Sequence, residues 1–168
     1  MTLPKVSLRK GFTLIELLVV IGILAVLLTI VLIAINPARQ FSQSNNTKRR
    51  SDVNAVLNAI HQYSADNRGN ITALNIPADD GNPLNGTEEQ DIGNSVGEAD
   101  LCLEVVTLYM AALPQDPLQN NGVAITEADC TAPSVYNAGY TVVRSSANNR
   151  ITVAAPAAEL GEVISVTR

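Results

Sequence analysis

From Leu17 to Ile35 the chain runs nineteen residues without a charge, and the residue immediately before that run is Glu16. At about 1.5 Å rise per residue, this stretch covers roughly the 30 Å hydrocarbon thickness of a bilayer as one helix. The run ends in Ile35-Asn36-Pro37 with no A-x-A-like site behind it, so an ordinary cleaved secretory leader fits poorly. Glu16 is then the residue that needs a reason. An acid at mid-bilayer costs about 2.5–3.5 kcal/mol on insertion scales, less near the end of a span, and such residues usually have a function.

Ahead of the span stand two bases, a glycine and a phenylalanine. The stretch Lys10-Gly11-Phe12-Thr13-Leu14-Ile15-Glu16, followed by an apolar helix, resembles the class III leader of bacterial type IV pilins and type II secretion pseudopilins. The resemblance implies cleavage by a membrane prepilin peptidase after Gly11, and N-methylation of the newly exposed Phe12. It also implies subunit assembly through Glu16 and Thr13, with the Glu16 carboxylate meeting the Phe12 ammonium of a neighbouring subunit. Cleavage removes Lys5, Arg9 and Lys10 and leaves an ammonium four residues before the carboxylate. Two opposite charges about 4 Å apart attract by about 4 kcal/mol at an effective dielectric near 20, before desolvation. Glu16 is in this reading a positioning device that sets the stacking of subunits.

Charge is segregated along the rest of the chain. Residues 69–168 hold thirteen Asp and Glu against three Arg, whereas Arg39, Lys48, Arg49 and Arg50 cluster just after the span. An acidic distal part is a poor nucleic-acid surface, because that affinity comes mainly from bases neutralising phosphates, and no nucleic-acid partner is expected. Topology does not follow from charge, since three bases precede the span and four follow it. Cys102 and Cys130 favour export of the distal part: an even pair bridges in an oxidising compartment, the alternative being two buried thiols. Their bridge closes a loop of about 29 residues, for which chain entropy gives roughly 3–4 kcal/mol.

Asn36-Pro37 predicts a kink or brief break, because proline removes a donor and clashes with the preceding turn. Beyond it Val53, Val56, Leu57, Ile60 and Tyr63 recur at helical steps, and Asp66-Asn67-Arg68-Gly69 supplies a stop. Residues 69–97, rich in Gly, Asn, Asp and Pro, read as a connecting loop. Ser95-Val96-Gly97-Glu98 has capping-box spacing, and Leu101, Val105, Leu108 and Ala112 predict a second helix up to Leu113-Pro114. Three β-leaning stretches follow, Tyr140–Arg144, Arg150–Ala154 and Glu162–Val166, the first two joined as a hairpin by Ser145–Asn149. Leu113-Pro114-Gln115-Asp116-Pro117 resembles the L-P-x-D-P segment common in pseudopilins and some pilins.

The expected fold is therefore α+β and pilin-like: a long N-terminal helix, its first half transmembrane, packed by its second half on a small antiparallel sheet. Its parts are a leader (1–11), a transmembrane and assembly segment (12–35), an amphipathic continuation (36–68) and a globular distal domain (69–168). His61 is the only histidine, and neither a phosphate loop nor a C-x-x-C occurs, so no enzyme is expected. No cofactor is expected either, with one reservation: Asp79, Asp80 and Asp91 in the acid-rich loop can offer oxygens to Ca²⁺, although the pattern is not an EF-hand.

Two functions are compatible with these residues. One is a structural subunit of a type IV pilus or pseudopilus, anchored in the bacterial inner membrane with its N-terminus cytoplasmic, then polymerised with like or related pilin subunits by an assembly machinery. It would reside finally in a surface pilus or a periplasmic pseudopilus. The alternative is a membrane-tethered binding protein with an acidic exported domain that never polymerises. Glu16 separates them, since a mere anchor has no use for an acid there.

Overall fold

The computed structural model describes residues 11–79, 89–131 and 134–168. The chain divides into two compact units, Met1–Gln40 and Phe41–Arg168. In the first, helix α1 spans Leu14–Ile35, 22 residues without one buried side chain. At 1.5 Å per residue this is about 33 Å, enough to cross a bilayer. It stops where Asn36 turns left-handed (φ 48°), and Pro37 opens helix α2, Pro37–Asp66. The expected break is thus one residue long. Asn36 is the C-cap of α1 and also holds the start of α2, where its carbonyl accepts from the Gln40 N–H and its side chain from the Arg39 N–H. Proline is tolerated at a first helical position, where its missing donor would be unpaired anyway.

From Phe41 onward α2 buries one stripe: Asn46, Arg49, Val53, Val56, Leu57, Ile60 and Tyr63, at three- and four-residue steps. The apolar members are those the periodicity predicts. Arg68 and Gly69 then take positive φ, and the Gly69 N–H closes the helix on the Ser64 carbonyl at 2.7 Å.

Among the described residues the stripe joins one apolar cluster with a five-stranded sheet, which makes the fold α+β. Its centre is the hairpin of β3 (Asn137–Ser145) and β4 (Ile151–Ala154), paired in register Thr141↔Ala154 to Arg144↔Ile151, as expected. The third strand, β5, runs Ser165–Thr167 rather than from Glu162. Glu162 is instead drawn to Arg50 and Asn46 on α2, which delays the strand. Residues 69–97 also differ from a plain loop. Ala78–Asp79 forms β1, parallel to the end of β3, and Gln90–Gly93 forms β2, antiparallel to its first half, so the sheet is mixed.

The second helix is a single turn, α3, Cys102–Val105. Val106 is extended and Thr107 has φ 72°, which stops propagation at once. The Ser95–Glu98 motif makes a turn instead of a cap, because Gly97 has φ 91° between its two ends. Leu101, Val105, Val106 and Leu113 are nevertheless core residues, while Leu108 faces outward.

Candidate functional site

Gly11, Phe12 and Thr13 precede α1 in non-helical, exposed backbone, and Phe12 keeps 89 % of its surface accessible. The Gly11–Phe12 bond is therefore open to a peptidase. A Cβ on Gly11 would meet nothing within 4 Å, so the chain's own packing does not require glycine there.

Thr13 is the N-cap of α1 and Glu16 its third residue, and together they form a capping box. One Glu16 oxygen, Oε2, accepts from both the Thr13 N–H and the Thr13 hydroxyl at 2.8 Å, and the Glu16 N–H donates to Thr13 Oγ1 at 3.3 Å. A carboxylate suits this place, where unpaired N–H groups and the helix dipole favour negative charge. Oε1 has no partner among the described residues. Behind it lie the nineteen residues Leu17 to Ile35 of α1, none of them buried by any of the described residues. The T-x-x-E spacing of Thr13 and Glu16 is itself a capping-box signature, and sequence reasoning that found one at Ser95–Glu98 could have read it here.

The model of the prokaryotic N-terminal methylation motif matches residues 7–32. This chain carries the class III leader of type IV pilins and pseudopilins. The motif thus ends inside α1 and contains Gly11, Phe12, Thr13 and Glu16. No curated protein and no solved structure matches the chain.

In the globular unit the pilin-like L-P-x-D-P segment acquires a physical role. Asp116 is fully buried and takes the equally buried Arg49 guanidinium in a fork, Nε to Oδ2 at 2.6 Å and Nη2 to Oδ1 at 3.0 Å. Arg49 Nη1 reaches Glu159 at 2.9 Å and the Asn46 side-chain oxygen at 3.0 Å. Asn46 in turn donates to the Glu159 carbonyl and accepts the Glu159 N–H, so its amide is satisfied at both ends. Ser42 and Asn45 add bonds to the Glu159 carboxylate. Hydrogen bonding to Asp116 holds the guanidinium above its ordinary pKa despite burial, and bonds from Asn45, Arg49 and Ser42 hold Glu159 below its own. Beside them, burial raises Asp52 although Tyr140 donates its hydroxyl to it at 2.7 Å, and burial raises Tyr140. Counting Arg49 among the bases after the span misses this; its position on the buried face of α2 was the available signal.

Cys102 in α3 and Cys130 form a disulfide with Cα atoms 5.4 Å apart. The bridge ties α3 to the segment approaching β3. Tyr136 secures the same corner, accepting from the Cys102 N–H at 3.2 Å and donating to Asp100 at 2.7 Å.

Of the acids considered for calcium, Asp80 lies outside the described residues. Asp79 pairs opposite Ser145 and Asp91 opposite Thr141, so four residues of β3 separate them, about 13 Å along a strand. Asp91 accepts from the Asn137 amide at 3.3 Å. Among the described residues no three His, Cys, Asp or Glu side chains converge as metal ligands. His61 sits half-buried on α2.

Proposed function

We propose that this chain is a structural subunit of a type IV pilus or pseudopilus, cleaved after Gly11, methylated on Phe12 and polymerised through α1. One observation carries the reading: the methylation motif overlaps an apolar helix that has no buried side chain among the described residues and carries Glu16 in its first turn, with one carboxylate oxygen still to offer. Before assembly the Thr13 capping box satisfies Glu16 within its own chain, and lipid covers α1. After cleavage the Phe12 ammonium of a neighbouring copy supplies the partner for Oε1, and helix replaces lipid around α1. The globular unit, built on α2 and held by its disulfide and buried ion pair, is then carried on the outside of the polymer. Prepilin peptidase, the inner membrane and an assembly machinery are the partners this implies.

The test is Glu16→Ala in cells that process the wild-type chain. A buried cation left without its partner typically costs about 3–5 kcal/mol per contact, so filaments should be lost. The span becomes more apolar, so membrane abundance should stay normal or rise. Wild-type filament yield after shearing, seen by electron microscopy, would refute the assembly role and favour a tethered monomer.

A further inference from the structure

In the globular unit a cleft of about 420 Å³ lies between the 120–125 segment and the residues that lead into β3. Gln115 and Asn137 both line it, and Gln115 Nε2 donates to the Asn137 carbonyl at 2.9 Å, so the Gln115 amide bridges two parts of the lining. Gln115 is only 8 % exposed, and its oxygen Oε1 is buried without a partner among the described residues. A buried acceptor left unpaired is unfavourable, and one in the lining of a cleft calls for a donor that enters from outside. Asp129 belongs to the same lining. Its Oδ2 accepts from the Thr126 hydroxyl at 2.7 Å and the Thr126 N–H at 2.9 Å, which holds the carboxyl below its ordinary pKa and leaves Oδ1 without a partner among the described residues. The described lining contains neither Lys nor Arg, and Val123 and Val135, both largely exposed, add apolar surface to it.

We infer that this cleft binds a primary alkylammonium group. A hard divalent cation is ill matched, because Asp129 is the one carboxylate in the described lining and such ions collect about six to eight oxygens. A guanidinium is ill matched as well, since its fork engages both oxygens of a carboxylate and Thr126 already holds Oδ2. An ammonium is a point charge with three donors, which suits one free carboxylate oxygen and one amide oxygen, and its methylene stem suits the two valines. The occupant comes from another molecule. Lys48 is the single lysine after Gly11, and its ammonium is engaged by the Gly122 and Gln115 backbone carbonyls at 3.0 and 3.4 Å. Two sources share the required chemistry, a lysine side chain of a peptide or protein and a free diamine. The cleft lies wholly within Phe41–Arg168, so the inference does not depend on assembly through α1.

The experiment titrates the full chain, in detergent micelles at physiological ionic strength, with Nα-acetyl-lysine N-methylamide and separately with cadaverine, and follows the backbone amide resonances. Saturable shifts should appear at Ala124, Asp129 and Val135, and the lysine probe acetylated on Nε, which carries no charge, should give none. Asp129→Asn should weaken binding about tenfold or more through loss of a charge-assisted bond. Glu127→Gln removes an equal charge two residues away, outside the lining, and should leave the affinity unchanged. Gln115→Leu should weaken binding too. Should that buried change unfold the chain, Val135→Lys keeps the test decisive, because it sets a competing ammonium at an exposed position of the cleft and should also weaken binding. Tighter binding of the lysine probe than of cadaverine assigns a peptide lysine as the source, and the reverse assigns a free diamine. Absence of saturable shifts with both amines, or equal weakening by Glu127→Gln and Asp129→Asn, would overturn the assignment.

Discussion

Removing either partner of the Arg49–Asp116 pair should unfold the globular unit at markedly lower temperature, and the two removals should not be equal. Both side chains are fully buried, and they meet through two hydrogen bonds at 2.6 and 3.0 Å. Breaking such a pair from one side leaves an uncompensated charge out of water, at about 3–5 kcal/mol. For a unit of this size that corresponds to a fall of roughly 10–20 °C in melting temperature. Asp116→Asn belongs at the lower end, because Arg49 keeps Glu159 and Asn46 as partners. Arg49→Met belongs at the upper end, since Asp116 would retain only the Leu118 N–H among the described bonds. Arg49→Met combined with Asp116→Leu removes both charges and should cost much less than the sum of the two single changes. The assay is thermal unfolding of a fragment beginning at Phe41, followed by circular dichroism. A fragment beginning at Ser51 lacks Asn46 and Arg49 and should behave like the Arg49 variant or worse. Single variants each within about 1 kcal/mol of wild type, or an additive double change, would refute the reasoning.

Gly11→Val should leave the leader in place, seen as an unprocessed N-terminus by mass spectrometry, whereas wild type should begin at methylated Phe12; a wild-type cut elsewhere would exclude this processing. Reduction of Cys102–Cys130 should lower the stability of the Phe41–Arg168 unit by about 3–4 kcal/mol, from the loop it closes. Alkylation of both thiols without reductant would exclude the bridge. Glu159 has a folded pKa below its unfolded one, so the stability it supplies is present above the ordinary glutamate range and lost as pH falls through the lowered value. Glu159→Gln should therefore flatten that part of the acid limb of a stability–pH curve, and an unchanged slope would show that the carboxylate is not held by α2.

What the residues alone determined is what depends on neighbours close in the chain. The uncharged run to Ile35, the break at Asn36-Pro37, the apolar stripe of α2, and the β3–β4 hairpin each express a local period or a local turn, and each is found where it was read. The motif around Gly11 and Glu16 is equally local, so the candidate site was legible before any fold was known. Tertiary structure decided the features whose partners are distant. β2 is four residues long and exists because β3 passes beside it, Gln90 meeting Val142; so short a stretch cannot bury enough surface by itself to be distinguished from a loop. The helix expected around Leu101–Ala112 failed for the converse reason. Its apolar spacing records burial of Leu101, Val105 and Leu113 in a common core, which a turn with Thr107 in the left-handed region achieves as well as a helix. Arg49 is the sharpest case. As one of four bases it reads as a solvated charge, and only the arrival of Asp116 and Glu159, 67 and 110 residues away, makes burial of that charge tolerable. A charge can be buried only where its partners are delivered, and the folded chain alone brings them together.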